Sequence, residues 1–583
     1  LGDDREILLV QNPSEMKGVF EKLANKVYEK NKSLENQILQ GLSPESSFEM
    51  EVTFEAGRFP LLSNEEARSK ILETGKLEGF AVEKLELNSL NISHPILVRS
   101  CKIGLWSSAG AIFESKIEIR ETTIQEMQFS SLENPSQVKK DMTIAYSRFQ
   151  GDGKFSGLIC QGSVRMIHTE FQRGTFWLDR AMIHGNLECS DVSFSKGDFQ
   201  KMTLEGQMRM DPVSFAKGVN FQKARFQGGS VFTGSTFEGV ARFRGCHFLE
   251  YCDFSGTDFQ DEAYFGEAHF HGAEFFKVCF GGPANFVRAT FREFGRFRQG
   301  RFEADSVWTG VRVSGILFFE DIELMDTVNF QEGIFQKLEF QLVRFRSQVD
   351  FSSSIFEGPL SFHETQVEGN ILFHYCQFQS RADFKGASFH KGISFIGTEG
   401  NLFSLKRSQV EGHILAEIAH KWKEASWEYK RLKKIFEDLQ EPEDAEWAHY
   451  HWKVAQRKAK MQNPYRPDLW IRAFFEWIFL DLGTGYGTKP GSILWLALGL
   501  ILAFTFLYAY GCPKDFFNPS FPQEQMTINT ALVLSFSTFS TSGTLGWTLR
   551  PSSLGAYLVI TESLLGFFIL LLFTVTFVRK MMH

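Results

Sequence analysis

Between two long apolar runs, residues 528–547 read INTALVLSFSTFSTSGTLGW, an apolar stretch that passes into Ser, Thr and Gly. Hydroxyls and the carbonyls of a glycine-bearing backbone are the oxygen donors that can replace the water around a small cation. No Asp or Glu lies between Met526 and Thr561, so a filter built on carboxylate rings is disfavoured. Arg550 follows the loop. It would repel cations if it faced an axis, and it is harmless if it faces solvent or lipid headgroups.

The elements that would position this loop are the runs on either side. Residues 492–510 are 19 residues without a charge, and 554–578 is broken only by Glu562. At about 1.5 Å per residue each can cross a hydrocarbon layer of about 30 Å. Irregular backbone at bilayer depth is tolerated only where it lines a watery cavity or is buried in protein. The expected unit is therefore a membrane domain at 485–583, with spans 492–510 and 554–578 and a pore loop at 526–549. A carboxyl in such a span is costly unless paired. Glu562 is expected to turn toward Ser535, Ser537, Thr538 and Ser540, and with Ser540 and Thr541 to brace the loop. Gly566 reads equally as a hinge or as a close-packing point between helices.

Charge sets the expected orientation. Lys453, Arg457, Lys458, Lys460, Arg466 and Arg472 precede the first span, and Arg579 and Lys580 follow the second. The intervening loop offers only Lys514 and Arg550. The positive-inside rule then places both ends in the cytoplasm, in an inner or plasma membrane, with Cys512 outside. Residues 463–484 carry Trp470, Phe474, Phe475, Trp477, Ile478 and Phe479 among charges, which predicts an interfacial amphipathic helix. Before it, 405–462 predicts a helical hairpin over 411–439 and 441–460, broken at Glu441 and Pro442. Its mixture of Lys, Arg, Trp and Tyr beside a span marks a membrane interface rather than a nucleic-acid site.

The chain holds 62 Phe in 583 residues, far more than an ordinary core needs. From Phe215 they recur at 221, 226, 232, 237, 243, 248, 254, 259, 265 and 270. The spacing alternates between five and six, an eleven-residue unit, with a small or apolar residue often two before the Phe. Two inward positions flanking one outward position describe a short strand. The beat slips over 276–297 and returns by 351. Seven of the eight Cys fall in this region without a CxxC pair, as buried reduced thiols would. The predicted organisation is an N-terminal mixed helical cap at 1–92, with a helix over 14–40, then a Phe-rich β-helix at 93–400.

Two resemblances follow from these residues. FQKARF at 221–226 and FEGVARF at 237–243 resemble the pentapeptide-repeat proteins. That implies a right-handed, roughly square β-helix with Phe stacked along its axis. Residues 485–580 resemble two-helix, pore-loop potassium channels. Glu562, Gly566 and Phe568 match an E-x-x-x-G-x-F stretch of a bacterial subgroup that also carries pentapeptide-type repeats and a Tyr-Gly element like Tyr486-Gly487. The family filter, T-V-G-Y-G-D or T-L-G-F-G-D, falls on Thr544, Leu545, Gly546, Trp547 and Thr548. Thr548 replaces the second Gly and Leu549 the Asp, so the outer filter must be rebuilt, because a β-branched residue resists positive φ. A rival register uses Thr541, Ser542, Gly543, Thr544 and Leu545.

The resemblance implies a homotetrameric channel that passes monovalent cations, potassium favoured but weakly selected, with no other cofactor or metal. Its solenoid would take an unidentified cytoplasmic ligand or protein. The alternative is a membrane-anchored, non-conducting scaffold that binds partners through the solenoid. No enzyme is expected: the sequence has no phosphate-binding Gly loop followed by Lys, no HExxH and no GxSxG.

Overall fold

The computed structural model describes residues 59–400, 403–462, 466–517, 526–540, 543–544, 547–549 and 553–581. The helix expected over 14–40 lies outside them. From Leu61 to Ser404 short strands stack in parallel, coil upon coil, through about sixteen turns of a β-solenoid. One coil is four strands of two or three residues, such as Val219–Asn220, Arg225–Phe226, Ser230–Val231 and Thr236–Phe237. Phe215 pairs with Phe237, Phe237 with Phe259, Phe259 with Phe280 and Phe280 with Phe302. A coil therefore advances 22 or 21 residues and contains two of the eleven-residue units.

The Phe rings explain why the unit tolerates so little variation. Along one column Phe232, Phe254, Phe275 and Phe297 stack at centroid distances of 4.7, 5.0 and 4.3 Å, within 5° of parallel. Neighbouring columns meet edge to face, as Phe243 and Phe254 do at 87°. Burying each ring is worth ~1.5–3 kcal/mol, and each favourable ring pair adds ~0.5–1.5 kcal/mol. Trp308 takes a Phe place and stacks on Phe286 at 4.0 Å. The slip in the beat is a local irregularity of register. The pairing shifts between Phe270 and Gly272, and Phe294 then lies opposite Gly272 with Arg296 over its ring.

The solenoid starts at Leu61, not at residue 93. Leu62 pairs with Val82, Val82 with Ile103, and Ile103 with Ile124. These coils use Leu, Val and Ile where later coils use Phe, so the aromatic beat does not report them. Helix α1 (Asn64–Thr74) closes this end, burying Ala67 and Ile71. Its start is fixed by a reciprocal cap, in which the Ser63 amide donates to Glu66 (2.9 Å) and the Glu66 amide to the Ser63 hydroxyl (3.3 Å).

At the other end a helical hairpin covers the last coils: α2 (Trp422–Asp438) and α3 (Pro442–Met461). The expected helix over 411–439 is divided. A short helix Leu415–Ile418 precedes α2, and His420 between them has φ 55°. Glu428, 1% exposed, docks α2 on the solenoid. It accepts from the Ser394 hydroxyl (2.6 Å) and the Phe395 amide (2.8 Å). His374 also lies 2.9 Å from that hydroxyl. Burial pushes the Glu428 carboxyl up to about 7, against the pull of its two donors.

Two outcomes follow. Phe254→Ala is expected to cost ~3–5 kcal/mol in chemical denaturation, as for other buried aromatic truncations, while Lys217→Ala on the surface changes little. For Glu428, a pKa raised above the ordinary carboxyl value of 4.5 means that the docked state holds its proton more tightly than the undocked one. The contribution is then full below about 4.5 and lost as pH rises through about 7. Hydrogen exchange at the Phe395 amide, corrected for intrinsic rate, should show more protection at pH 5 than at pH 8. Glu428→Gln should remove that difference; protection in the unaltered chain that ignores pH would contradict the assignment.

Candidate functional site

Two helices are long and apolar enough to cross a bilayer, over Gly491–Gly511 and Leu554–Val578. The first is α5 (Pro490–Phe506), continued by a wider π turn at Leu507–Gly511. The second is α7 (Leu554–Met581). Between them lies α6 (Ile528–Phe539), started by a Thr527–Thr530 capping pair. Its Ala531, Leu534, Ser535 and Thr538 are buried against the longer helices, while Phe536 on the far side is 63% exposed.

Glu562 joins these three helices. It is 0% exposed. The Tyr508 hydroxyl of the π turn donates to one carboxyl oxygen at 2.5 Å. The Ser535 hydroxyl of α6 lies against the other, and also within 2.9 Å of the Ile501 carbonyl of α5. A carboxyl among apolar side chains needs such partners, because leaving it unpaired costs several kcal/mol. Of the four hydroxyls named from sequence, Ser535 is the one bonded to Glu562. Ser537 donates to the Gly543 carbonyl, Ser540 donates to the Ser537 carbonyl (3.1 Å), and the buried Thr538 hydroxyl has no partner among the described residues. Thr541 lies outside the described residues. Tyr508 escaped the sequence reading, since a Tyr near the end of an apolar run reads as an interfacial anchor.

One turn beyond Glu562, Gly566 packs on the end of α6. A methyl group at Gly566 would overlap the Phe539 carbonyl, so this position is a close-packing point in a continuous helix. Ser563 adds a bond to the Thr538 carbonyl (3.3 Å).

In the loop after α6, Gly543 has a φ of 90°, which suits glycine. The Thr544 carbonyl accepts from the Trp547 amide at 3.0 Å. Ser542, Leu545, Gly546 and Arg550 lie outside the described residues. Trp547, 8% exposed, packs with Tyr508, Phe516, Ala531, Leu534 and Val559. A cavity of about 260 Å³ beside it is lined by Asn529, Thr530, Val533, Leu534 and Trp547. Thr548 and Leu549 form an antiparallel pair with Phe517 and Phe516. Thr548 thus takes the extended backbone that β-branched residues favour, not a positive φ. Asp515, next to that pair, accepts from the Gly555 amide (2.8 Å) at the start of α7.

The segment before α5 connects this site to the hairpin. Helix α4 (Pro467–Phe475) runs into a π-helical stretch, Glu476–Leu482, with Trp470, Ile471, Phe474, Phe475 and Trp477 exposed. Asp481 accepts from Arg457 (2.5 Å) and Tyr450 (2.8 Å) of α3. Lys460 pairs with Glu476 (2.5 Å). Gly485, Tyr486 and Gly487 all have positive φ. They turn the chain into α5, and Lys489 sits over the Tyr450 ring at 4.6 Å. The described residues hold no group of three or more His, Cys, Asp or Glu placed to bind a metal.

Glu562→Leu should strand the Tyr508 hydroxyl and leave Ser535 only its bond to the Ile501 carbonyl, and Gly566→Ala should push α7 off α6. Each is expected to lower the thermal midpoint of the purified chain by several degrees, and Glu562→Gln by less because it keeps both contacts. Equal melting of Glu562→Leu and the unaltered chain would show that the buried carboxyl holds nothing.

Comparison with known proteins bears on the solenoid. The family model for pentapeptide repeats matches residues 232–278 and 351–399, in nine copies. No curated protein and no solved structure matches the chain. The matched segments lie within the stacked coils, and the solenoid is a pentapeptide-repeat domain.

Proposed function

We propose that this chain is one subunit of a tetrameric cation channel whose loop at 543–549 contributes to an oxygen-lined filter. The arrangement that carries the reading is the capped, Ser/Thr-rich helix α6, held between two apolar helices by the buried Glu562 and followed by a Gly-bearing loop. One loop cannot enclose a path, and closed cyclic symmetry is the usual way for copies to complete one. The exposed Val533 and Phe536 of α6 supply apolar surface for a neighbouring copy. Potassium is the favoured ion, since the loop offers hydroxyls and carbonyls but no carboxylate. Selectivity is weak, because Thr548 and Leu549 are committed to a strand pair and Trp547 to packing. Both chain ends face the cytoplasm in this reading. The solenoid regulates the opening through Glu428, the hairpin and Asp481.

The test is the reversal potential of purified full-length protein in planar bilayers with mixed potassium, sodium and chloride. The expected current is carried by cations, with potassium modestly preferred over sodium. Sharp potassium selectivity would contradict the rebuilt outer filter. A reversal that follows chloride would mean Arg550 lines the mouth. The absence of current would leave the membrane-anchored scaffold as the better reading.

A further inference from the structure

On one side of the solenoid three imidazoles and a guanidinium face a notch of about 150 Å³, lined by His247, Leu249, His269, His271 and Arg292. His247 and His269 occupy the same position in successive coils and stack at 4.6 Å, 25° from parallel. The Nδ1 of His269 is fixed by the Thr290 hydroxyl at 2.6 Å, which leaves Nε2 free to face a ligand. His271 lies 3.4 Å from Glu293. The Arg292 side chain makes no ion pair or hydrogen bond among the described residues, whereas many neighbouring arginines, such as Arg244, Arg296 and Arg298, pair with carboxylates.

The column extends the positive character. Arg225 pairs with His247 in the coil before, and Arg312 with Thr290 in the coil after. The strands around the notch carry four carboxylates: Glu250 and Asp253 on the His247 strand, Glu274, which pairs with Arg296 and Arg298, and Glu293, already beside His271. A small concave site lined by three imidazoles, two of them stacked, and an unpaired guanidinium presents N–H donors that Glu293, beside His271 alone, leaves without an acceptor. We propose that this notch binds a compact tetrahedral oxyanion of the phosphate class, and that binding draws protons onto its histidines.

The coupling to protons has a direct cause. Partial loss of hydration against the neighbouring strands, then His269 and then Arg225 hold the His247 pKa below its ordinary value. An anion in the notch, beside both rings, opposes the last two effects and favours the imidazolium. The inference stands apart from the channel reading, because it concerns binding to the solenoid and not conduction.

Titration calorimetry on the full-length chain in detergent tests it, with sulfate as the first probe because its charge is constant across the histidine range. One saturable site is expected, about ten-fold tighter at pH 5.5 than at pH 7.5, the effect of a one-unit histidine shift. Proton uptake should appear as a dependence of the heat on the buffer's ionisation enthalpy. Arg292→Gln should abolish binding and His247→Asn should remove most of the pH dependence. Both side chains are exposed, and an unchanged circular dichroism melt verifies the fold. Inorganic phosphate and glycerol phosphate then separate a free ion from the end of a phosphorylated metabolite, and binding of either supports the class. No saturable binding, binding unchanged by Arg292→Gln, or acetate binding as tightly as sulfate would overturn the proposal.

Discussion

A carboxyl sealed among apolar helices dictates the geometry of the C-terminal part of this protein. Glu562 cannot be buried without donors, and the two hydroxyls that reach it come from different elements, Tyr508 and Ser535. Ser535 also reaches the Ile501 carbonyl. One polar cluster therefore sets the rotation of α7, the depth of α6 and their register on α5. Gly566 lies four residues further on the same helical face and lets α6 approach to contact. The loop that follows α6 inherits its position from these contacts. Ser537 and the Trp547 amide hold its first carbonyls, and the pair with Phe516–Phe517 holds its far end.

The solenoid contributes stiffness, and its joints contribute specificity. Stacked rings inside each column and parallel ladders outside leave few soft degrees of freedom in a coil, and each coil meets only its neighbours. The joints downstream are instead small polar contacts. Glu428 fastens α2 to the last coils, and Asp481 fastens α3 to the segment before α5. Such contacts respond to single substitutions, and the Glu428 contact to pH, in a way that a column of Phe does not. A displacement at the solenoid's end thus has a short path, through Arg457 and Asp481, to the turn at Tyr486 that introduces α5.

The Phe beat made the solenoid legible, because each coil places Phe on successive sides and few other folds demand that spacing. The first coils were illegible for the converse reason: Leu62, Val82 and Ile103 fill the same inward positions with residues common to any core. The apolar runs and the costly Glu562 were legible from composition alone. Its partners were not, since three hydroxyls on α6, those of Ser535, Ser537 and Thr538, and that of Ser540 at its end compete and only packing selects Ser535. Tyr508 needed a helix that widens into a π turn, which a hydropathy pattern does not report. The loop was the least legible part. Threonines, serines and glycines admit a rival register beside the preferred one, and the burial of Trp547 and the strand at Thr548 depend on the segment at Phe516–Phe517, some thirty residues away.

The central proposal is that the loop site of one chain is completed by three more. The uncovered side of α6, with Phe536 and Val533 exposed, is the surface that copies would share. Measuring the mass of the full-length protein in lipid nanodiscs, together with particle images viewed down the membrane normal, addresses this directly. The account predicts a four-chain particle with the α6 segments gathered around a common axis and the solenoids projecting to one side. A particle of one chain, or a dimer that leaves the α6 faces apart, would contradict it.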